Sequence, residues 1–355
     1  MAYSNVFYEY NTNKIHLWEY IDGKRYKTVE KIQNECYIES ETGTIKDIYG
    51  VPVEKRSYDN RESIKNLKES GAYLCESDIK EDVKYLQNKY KNKEIRYDIN
   101  DLNICTIDIE VAAEEFPKPD EAKYPINLIT VKFSKTQEVY TFGLREYTGN
   151  SPLVKNYHCN PNEIDLMDAF VRFFRKQKVD ILTGWFCSDF DVPYIINRLE
   201  RIGVERSLSP VGKYSQNRKT GMYTIGGIAI LDGLALYKKY TQHKRESYKL
   251  DYIGNFEVNE GKLAFEGDLN NLWKTDWNKF VEYNVQDVLL VDKIETKMKY
   301  IDLVVSFAYQ ALVPFESVIS SIAVSTGYIL KYLHEQGIVM TDRKIKEKEE
   351  YPGGY

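Results

Sequence analysis

An acidic residue, Asp287, falls on the apolar face of a helix. In the run from Asp276 to Met298 the apolar positions recur with helical spacing, and Asp287 shares a stripe with Phe280, Val291, Ile294 and Met298. A carboxylate on such a stripe is costly to bury without a cation or hydrogen-bond partners, so the fold must bring one of these to that point. Tyr283 stands four residues earlier, one helical turn away, and aims a phenol at the same place.

Two other segments supply acidic groups. Residues 102–111, rich in β-branched side chains, read as a strand, and Asp108 and Glu110 at positions i and i+2 project from one face of it. Side by side, two anions repel unless a cation sits between them. Alone, an Asp-x-Glu pair is more often the solvated face of a half-buried strand. Asp191 closes the segment from Gly184 through Trp185, Phe186 and Phe190, and precedes Pro193 at a helix start. Helix capping and chemistry both suit it there. Taken together, the three segments read as a two-metal nuclease site. Its catalytic candidates are Asp108, Glu110, Asp191, Tyr283 and Asp287, and the four carboxylates are the metal ligands.

Composition narrows the class. The chain has 355 residues, enough for about two folded units at 43% hydrophobic content. Its five cysteines are widely spaced with no C-x-x-C, and its four histidines lack ligand spacing. This argues against a disulfide framework or a zinc site and favours hard ions, Mg²⁺ or Mn²⁺, on carboxylates. No apolar run reaches membrane-span length and no signal-like start is evident, so a cytoplasmic protein without a membrane partner is expected. A net charge of −5 argues against nucleic-acid binding over the whole surface, but a local patch suffices. Lys213, Arg218 and Lys219 form one such patch, and Lys238, Lys239, Lys244, Arg245 and Lys249 a second. Tyrosines 214, 223, 237, 240 and 248 are interleaved, which suits backbone tracking with base stacking. Solvated turns and helix ends are the plainer reading of the same residues.

The three acidic segments, in their order, resemble the exonuclease motifs of family B DNA polymerases, in particular those of T-even-like bacteriophages. Further similarities lie in Asp47-Ile48-Tyr49-Gly50, Ile230-Leu231-Asp232, Gly261-Lys262-Leu263 and Ile301-Asp302-Leu303-Val304, so nearly the whole chain is covered. The resemblance implies an α/β architecture, an RNase H-like exonuclease domain with a smaller α+β N-terminal domain. It implies 3′→5′ proofreading: two-metal hydrolysis of the terminal phosphodiester at a single-stranded or frayed DNA 3′ end. On that pattern Asp108, Glu110 and Asp287 hold one ion, Asp108 bridges to a second that Asp191 helps to hold through water, and Tyr283 positions the attacking water. Lys262 matches a family lysine near the site and is grouped with Lys213, Arg218 and Lys219 as nucleic-acid-binding. Phe186 stands where the family usually has an Asn associated with substrate contacts.

By resemblance and periodicity, residues 1–100 form the N-terminal domain, completed by 300–340, residues 101–299 the exonuclease domain, and 341–355 the start of a connection to an absent palm domain. Neither palm carboxylate motif of the family occurs in the sequence. The expectation is therefore no polymerase activity in this chain, with palm, fingers and thumb on a separate or removed segment and virus-infected host cytoplasm as the setting. RNA at the N-terminal domain is a further partner the resemblance implies. Two alternatives stay open: a nucleic-acid-binding or polymerase-organising module whose nuclease is idle, and a ribonuclease of the same fold.

Overall fold

Runs of alternating and β-branched residues fill the first third of the chain with strands. The computed structural model describes all residues except 114, 116, 218, 219, 264–268 and 343–355. In order come β1 (Ala2–Glu9), β2 (Lys14–Ile21), β3 (Lys24–Lys31), β4 (Asn34–Glu39), β5 (Ile45–Asp47), β6 (Pro52–Tyr58), α1 (Arg61–Glu69), β7 (Leu74–Cys75) and α2 (Glu81–Lys89). The middle runs through β8 (Ile104–Val111), β9 (Ile126–Phe133), β10 (Val139–Gly143), β11 (Asn156–Cys159), α3 (Glu163–Lys176), β12 (Ile181–Thr183), α4 (Asp191–Arg201), β13 (Tyr214–Gln216), β14 (Tyr223–Ile225) and β15 (Ala229–Ile230). Helices dominate the rest: α5 (Gly233–Tyr240), α6 (Leu250–Val258), α7 (Leu269–Thr275), α8 (Trp277–Met298), α9 (Tyr300–Ala311) and α10 (Ser321–Glu335), before β16 (Ile338–Val339). Among the described residues no helix is long and apolar enough to cross a membrane.

The chain divides into two units. The first comprises Met1–Asn5, Leu17–Lys27 and Arg96–Phe307, the second Val6–His16, Thr28–Ile95 and Ala308–Tyr355. Leu17–Lys27 joins the first unit for a polar reason: Tyr20 Oη and Arg25 Nε donate to the two oxygens of Asp180, both at 2.8 Å.

The first unit is built on a six-stranded mixed sheet in the order β11-β10-β9-β8-β12-β15. β9 runs antiparallel to its neighbours β8 and β10; β8, β12 and β15 are mutually parallel, as are β10 and β11. β9 is buried along its whole length, as a strand covered on both faces must be. On one face, Ile107, Ile109, Val131 and Phe133 pack against Phe170 and Phe174 of α3 and Val192 and Ile195 of α4. Helix α8 lies on the other, where Phe280, Val281 and Val285 meet Leu128 of β9 and Val139 of β10. In the second unit, a five-stranded sheet of order β16-β5-β6-β4-β7 is covered in part by α1, whose Ile64 packs with Cys36 and Leu74.

Candidate active site

Strand β8 sorts its side chains by face. Cys105, Ile107 and Ile109 are buried in the core beneath α3 and α4, so alternation turns Asp108 and Glu110 to the face that α8 covers. A register shift follows at once: Glu110 pairs with Leu128 but Val111 with Ile126, a bulge of the kind that ends regular pairing and re-aims side chains.

Helix α8 meets that face with a polar band between two apolar clusters. Its N-terminal half contributes Phe280, Val281 and Val285 to one cluster; Leu290, Val291 and Ile294 join Tyr237, Leu250 and Ile253 in the other. Between them Tyr283, Asn284 and Asp287 are buried. Carboxylate oxygens of Asp108, Glu110 and Asp287 all lie within 4.8 Å of one another. Asn284, which the sequence reading passed over, donates from Nδ2 to Asp108 Oδ2 at 2.5 Å. The signal was there to be read, because Asn284 sits a turn after Phe280 on the buried side of the helix.

Asp191 does not cap α4. It is the first helical residue, and its Oδ1 accepts from the Ile109 backbone N–H at 2.9 Å, between the two β8 carboxylates. The loop that delivers it is pinned to β8 at its other end by Gly184, where a Cβ would fall 2.6 Å from the Ile107 carbonyl oxygen. Only glycine permits that approach. Asp232, the N-cap of α5, fastens the same loop: Oδ1 accepts from Ala235 N at 2.8 Å and Oδ2 from Ser188 N at 3.0 Å.

Lys262 reaches the same cluster. Its Nζ donates to Asp287 Oδ2 at 2.5 Å and to the Tyr283 hydroxyl at 2.8 Å, and lies 4.8 Å from that ring's centroid. An ammonium so engaged sits at the carboxylate cluster and compensates it. Lys213 is exposed at the base of a hairpin formed by β13 and β14, and Arg218 and Lys219 lie outside the described residues. The second basic stretch uses part of its aromatic content internally. Tyr237 is fully buried and donates to Glu257 Oε1 at 2.5 Å, while Arg245 lies 3.9 Å from the Phe256 ring. Burial removes Tyr237 as a surface for bases.

The electrostatics follow from placing several carboxylates with one ammonium. Burial pushes Asp108 well above the usual carboxylate range, and the charges of Asp191, Asp287 and Glu110 push it further. Glu110 is raised to about 8, by burial first and then by Asp287. Asp191 is raised to about 7 by burial against the opposing backbone hydrogen bond from Ile109. For Asp287 burial outweighs Lys262 and gives about 6. Burial also raises the Tyr283 phenol to about 12, and Lys262 is pushed above its ordinary value by Asp287 and Tyr283 against burial. Asp287 Oδ1 is buried with no hydrogen-bond partner. An orphaned carboxylate oxygen beside two repelling carboxylates is what an all-oxygen site for a hard divalent cation provides, so these residues fit such an ion.

The profile for "DNA polymerase family B, exonuclease domain" matches residues 56–253. The DNA-directed DNA polymerase of Escherichia phage RB69 is 32% identical over 359 residues, covering 89% of this chain and 39% of the relative. That of Enterobacteria phage T4 is 30% identical over 353 residues, with the same coverages. DNA polymerase 1 of Aeropyrum pernix is 27% identical over 208 residues, 55% of this chain and 21% of the relative. The chain thus spans about two fifths of the length of the two phage relatives.

Proposed function

Because the chain belongs to DNA polymerase family B, we propose that its first unit is an RNase H-like 3′→5′ exonuclease that hydrolyses the terminal phosphodiester of a single-stranded or frayed DNA end. The observation that carries this reading is the gathering of Asp108, Glu110 and Asp287 within 4.8 Å, with Asp287 Oδ1 left without a partner. These three residues would hold a divalent ion, Mg²⁺ or Mn²⁺, and Asp108 with Asp191 would help to hold a second. When bound, such ions supply an activated water near neutral pH and stabilise the leaving 3′ oxygen.

The chain's own groups do the rest. Asn284 fixes one Asp108 oxygen, so the carboxylate keeps its orientation when its charge changes. The Ile109 N–H does the same for Asp191. Tyr283 is too weakly acidic to serve as a general base near neutral pH. It accepts from Lys262, so toward other groups it acts as a donor, a role suited to orienting the attacking water. Lys262 balances charge at Asp287, and its ammonium is a group that could meet a phosphate oxygen of the substrate.

In this proposal the second unit is the N-terminal domain of a polymerase, and the protein works in infected cytoplasm beside a segment carrying palm, fingers and thumb. The test is digestion of 3′-labelled single-stranded, mismatched and matched DNA ends, and of RNA, with Mg²⁺ or Mn²⁺. Release of nucleoside monophosphates, fastest from single strands and slower from paired ends, is the expected result, because unstacking a terminal base costs a few kcal/mol. RNA digested in preference to DNA would replace the reading with a ribonuclease. Metal-independent binding without digestion would replace it with a binding module.

A further inference from the structure

Side-chain bonds tie helix α8 to both β8 and β9, and the second lies away from the carboxylate cluster. The first is the Asn284 bond to Asp108 of β8. About two turns and 12 Å further along the helix axis, Lys132 of β9 donates to Asp292. Register explains how a lysine comes to stand there. Lys132 pairs with Thr106, two residues before Asp108, so its side chain is on the face that α8 covers. On that face of β9, Leu128 packs into an apolar cluster and Thr130 bonds hydroxyl to hydroxyl with Thr141 of β10 at 2.9 Å. Of these three, only Lys132 makes a charged contact with α8. Its side chain is 9% exposed and that of Asp292 25%.

Taking both charges out of water offsets most of what their attraction contributes, and an apolar pair of similar volume is commonly as stable or more so. What such a pair supplies is direction. The contacts of Val281 and Val285 with Leu128 and Val139 tolerate small slides and rotations, because apolar burial is non-directional, whereas an ion pair is made at one register. Turning α8 by about 10° carries a group at its outer radius of about 5–6 Å through about 1 Å. A misplacement of about 1 Å costs about 10²-fold in rate. The pair does not act through its charge: the leading charges that move Asp108, Glu110 and Asp287 are one another's and those of Asp191, Lys262 and Asp251. We propose that Lys132 and Asp292 are positioning residues, whose ion pair sets the register and rotation of α8 so that Asp287 and Tyr283 meet Asp108 and Glu110 in the geometry a divalent cation requires. This deepens the exonuclease reading and rests on it for the identity of the reaction.

The experiment replaces both charges at once in the whole chain, Lys132→Met with Asp292→Leu, which keeps the net charge and the approximate volume. Three quantities are compared with wild type: Tm in chelator, Mn²⁺ affinity by electron paramagnetic resonance, and kcat and KM on a single-stranded oligonucleotide. Tm should be equal or higher. Mn²⁺ affinity should fall about tenfold or more, and kcat about 10–100-fold with KM unchanged. Exchanging the charges, Lys132→Glu with Asp292→Lys, should recover much of the lost affinity and kcat. Stability held while affinity falls is a pair of results that a merely stabilising contact does not give. Wild-type affinity and kcat in the apolar double variant would overturn the proposal, as would a Tm that falls in parallel with affinity, or an exchanged pair no better than the apolar one. Mn²⁺ affinity that depends on the pair in a protein that digests no DNA would sink the hydrolytic reading and leave this one standing; digestion indifferent to the pair would do the reverse.

Discussion

Two of the centres at which the first unit buries acidic groups are finished differently. Asp180 is completely enclosed and completely served: Tyr20 Oη and the Asn103 N–H donate to one oxygen at 2.8 and 2.9 Å, and Arg25 Nε to the other at 2.8 Å. At the second centre Asp108, Glu110 and Asp287 crowd together with one lysine, and Asp287 keeps an orphaned oxygen. A buried charge that is fully paired is part of the fold's own polar network. One that is left short, among like charges, holds a place for something the chain does not contain. The first centre should therefore govern stability and the second activity.

Asp108→Ala, alone or with Glu110→Ala, should lower the digestion rate by about 10³-fold or more, since several kcal/mol of charge stabilisation disappear with a ligand. Its Tm should be unchanged or higher, because a repelling buried carboxylate is removed. Digestion at the wild-type rate would show that the cluster is not the site. Asp180→Ala should destabilise the protein by about 3–5 kcal/mol in denaturant unfolding, because Arg25 is left without its carboxylate. The fraction that remains folded should digest DNA normally. A stable Asp180→Ala protein with a specific loss of turnover would merge the two centres into one.

Smaller effects sharpen the division within the second centre. Asn284→Ala should weaken Mn²⁺ binding about 10–100-fold, as expected for a group that orients a ligand without being one. Titration of Mn²⁺ by electron paramagnetic resonance reads this directly, and unchanged affinity would make Asn284 a packing residue. Tyr283→Phe should lower the digestion rate less than Asp287→Ala, since it removes one hydrogen bond and no ligand. A larger loss in the Phe variant would reverse those roles.

The periodicities of the sequence carried Asp108, Glu110, Tyr283 and Asp287 to one place because each pair obeys a local rule, period two in a strand and a helical turn in a helix. Asp191 was ambiguous for a physical reason. An Asp just before Pro193 satisfies the rules for a cap, and only the tertiary approach of the loop to β8 shows its carboxylate taking the Ile109 N–H instead. Asp180 was invisible to local patterns, since its partners lie 77 to 160 residues away; the buried side of α8 marked Asn284, but not its bond to Asp108, 176 residues away. Tyrosines between lysines suggested a stacking surface, but composition does not distinguish a ring under solvent from one under a helix, and Tyr237 is the latter. The β-branched run of β8 and the period of α8 fell close to their observed bounds, whereas the assignment of Leu17–Lys27 to the first unit depends on a bond to Asp180 that no window of sequence contains.

Thermal melts between pH 5.5 and 8.5, with chelator and with saturating Mn²⁺, decide whether the second centre is a cation site held by carboxylates that repel one another. Asp287, Asp191 and Glu110 have native values raised to about 6, 7 and 8, and Asp108 is raised as well. The native state therefore holds more protons than the unfolded chain in this window, and the stabilisation present below it is lost as pH rises through those values. Glu295, pushed to about 7 by burial, titrates alike with and without metal and cancels in the difference. The chelated protein should lose Tm as pH rises, and the gap opened by Mn²⁺ should widen over the same range, because the metal binds the deprotonated ligands. In the Asp108→Asn, Glu110→Gln double variant that widening should largely vanish. A wild-type gap that stays constant with pH, or one that survives in the double variant, would contradict the claim.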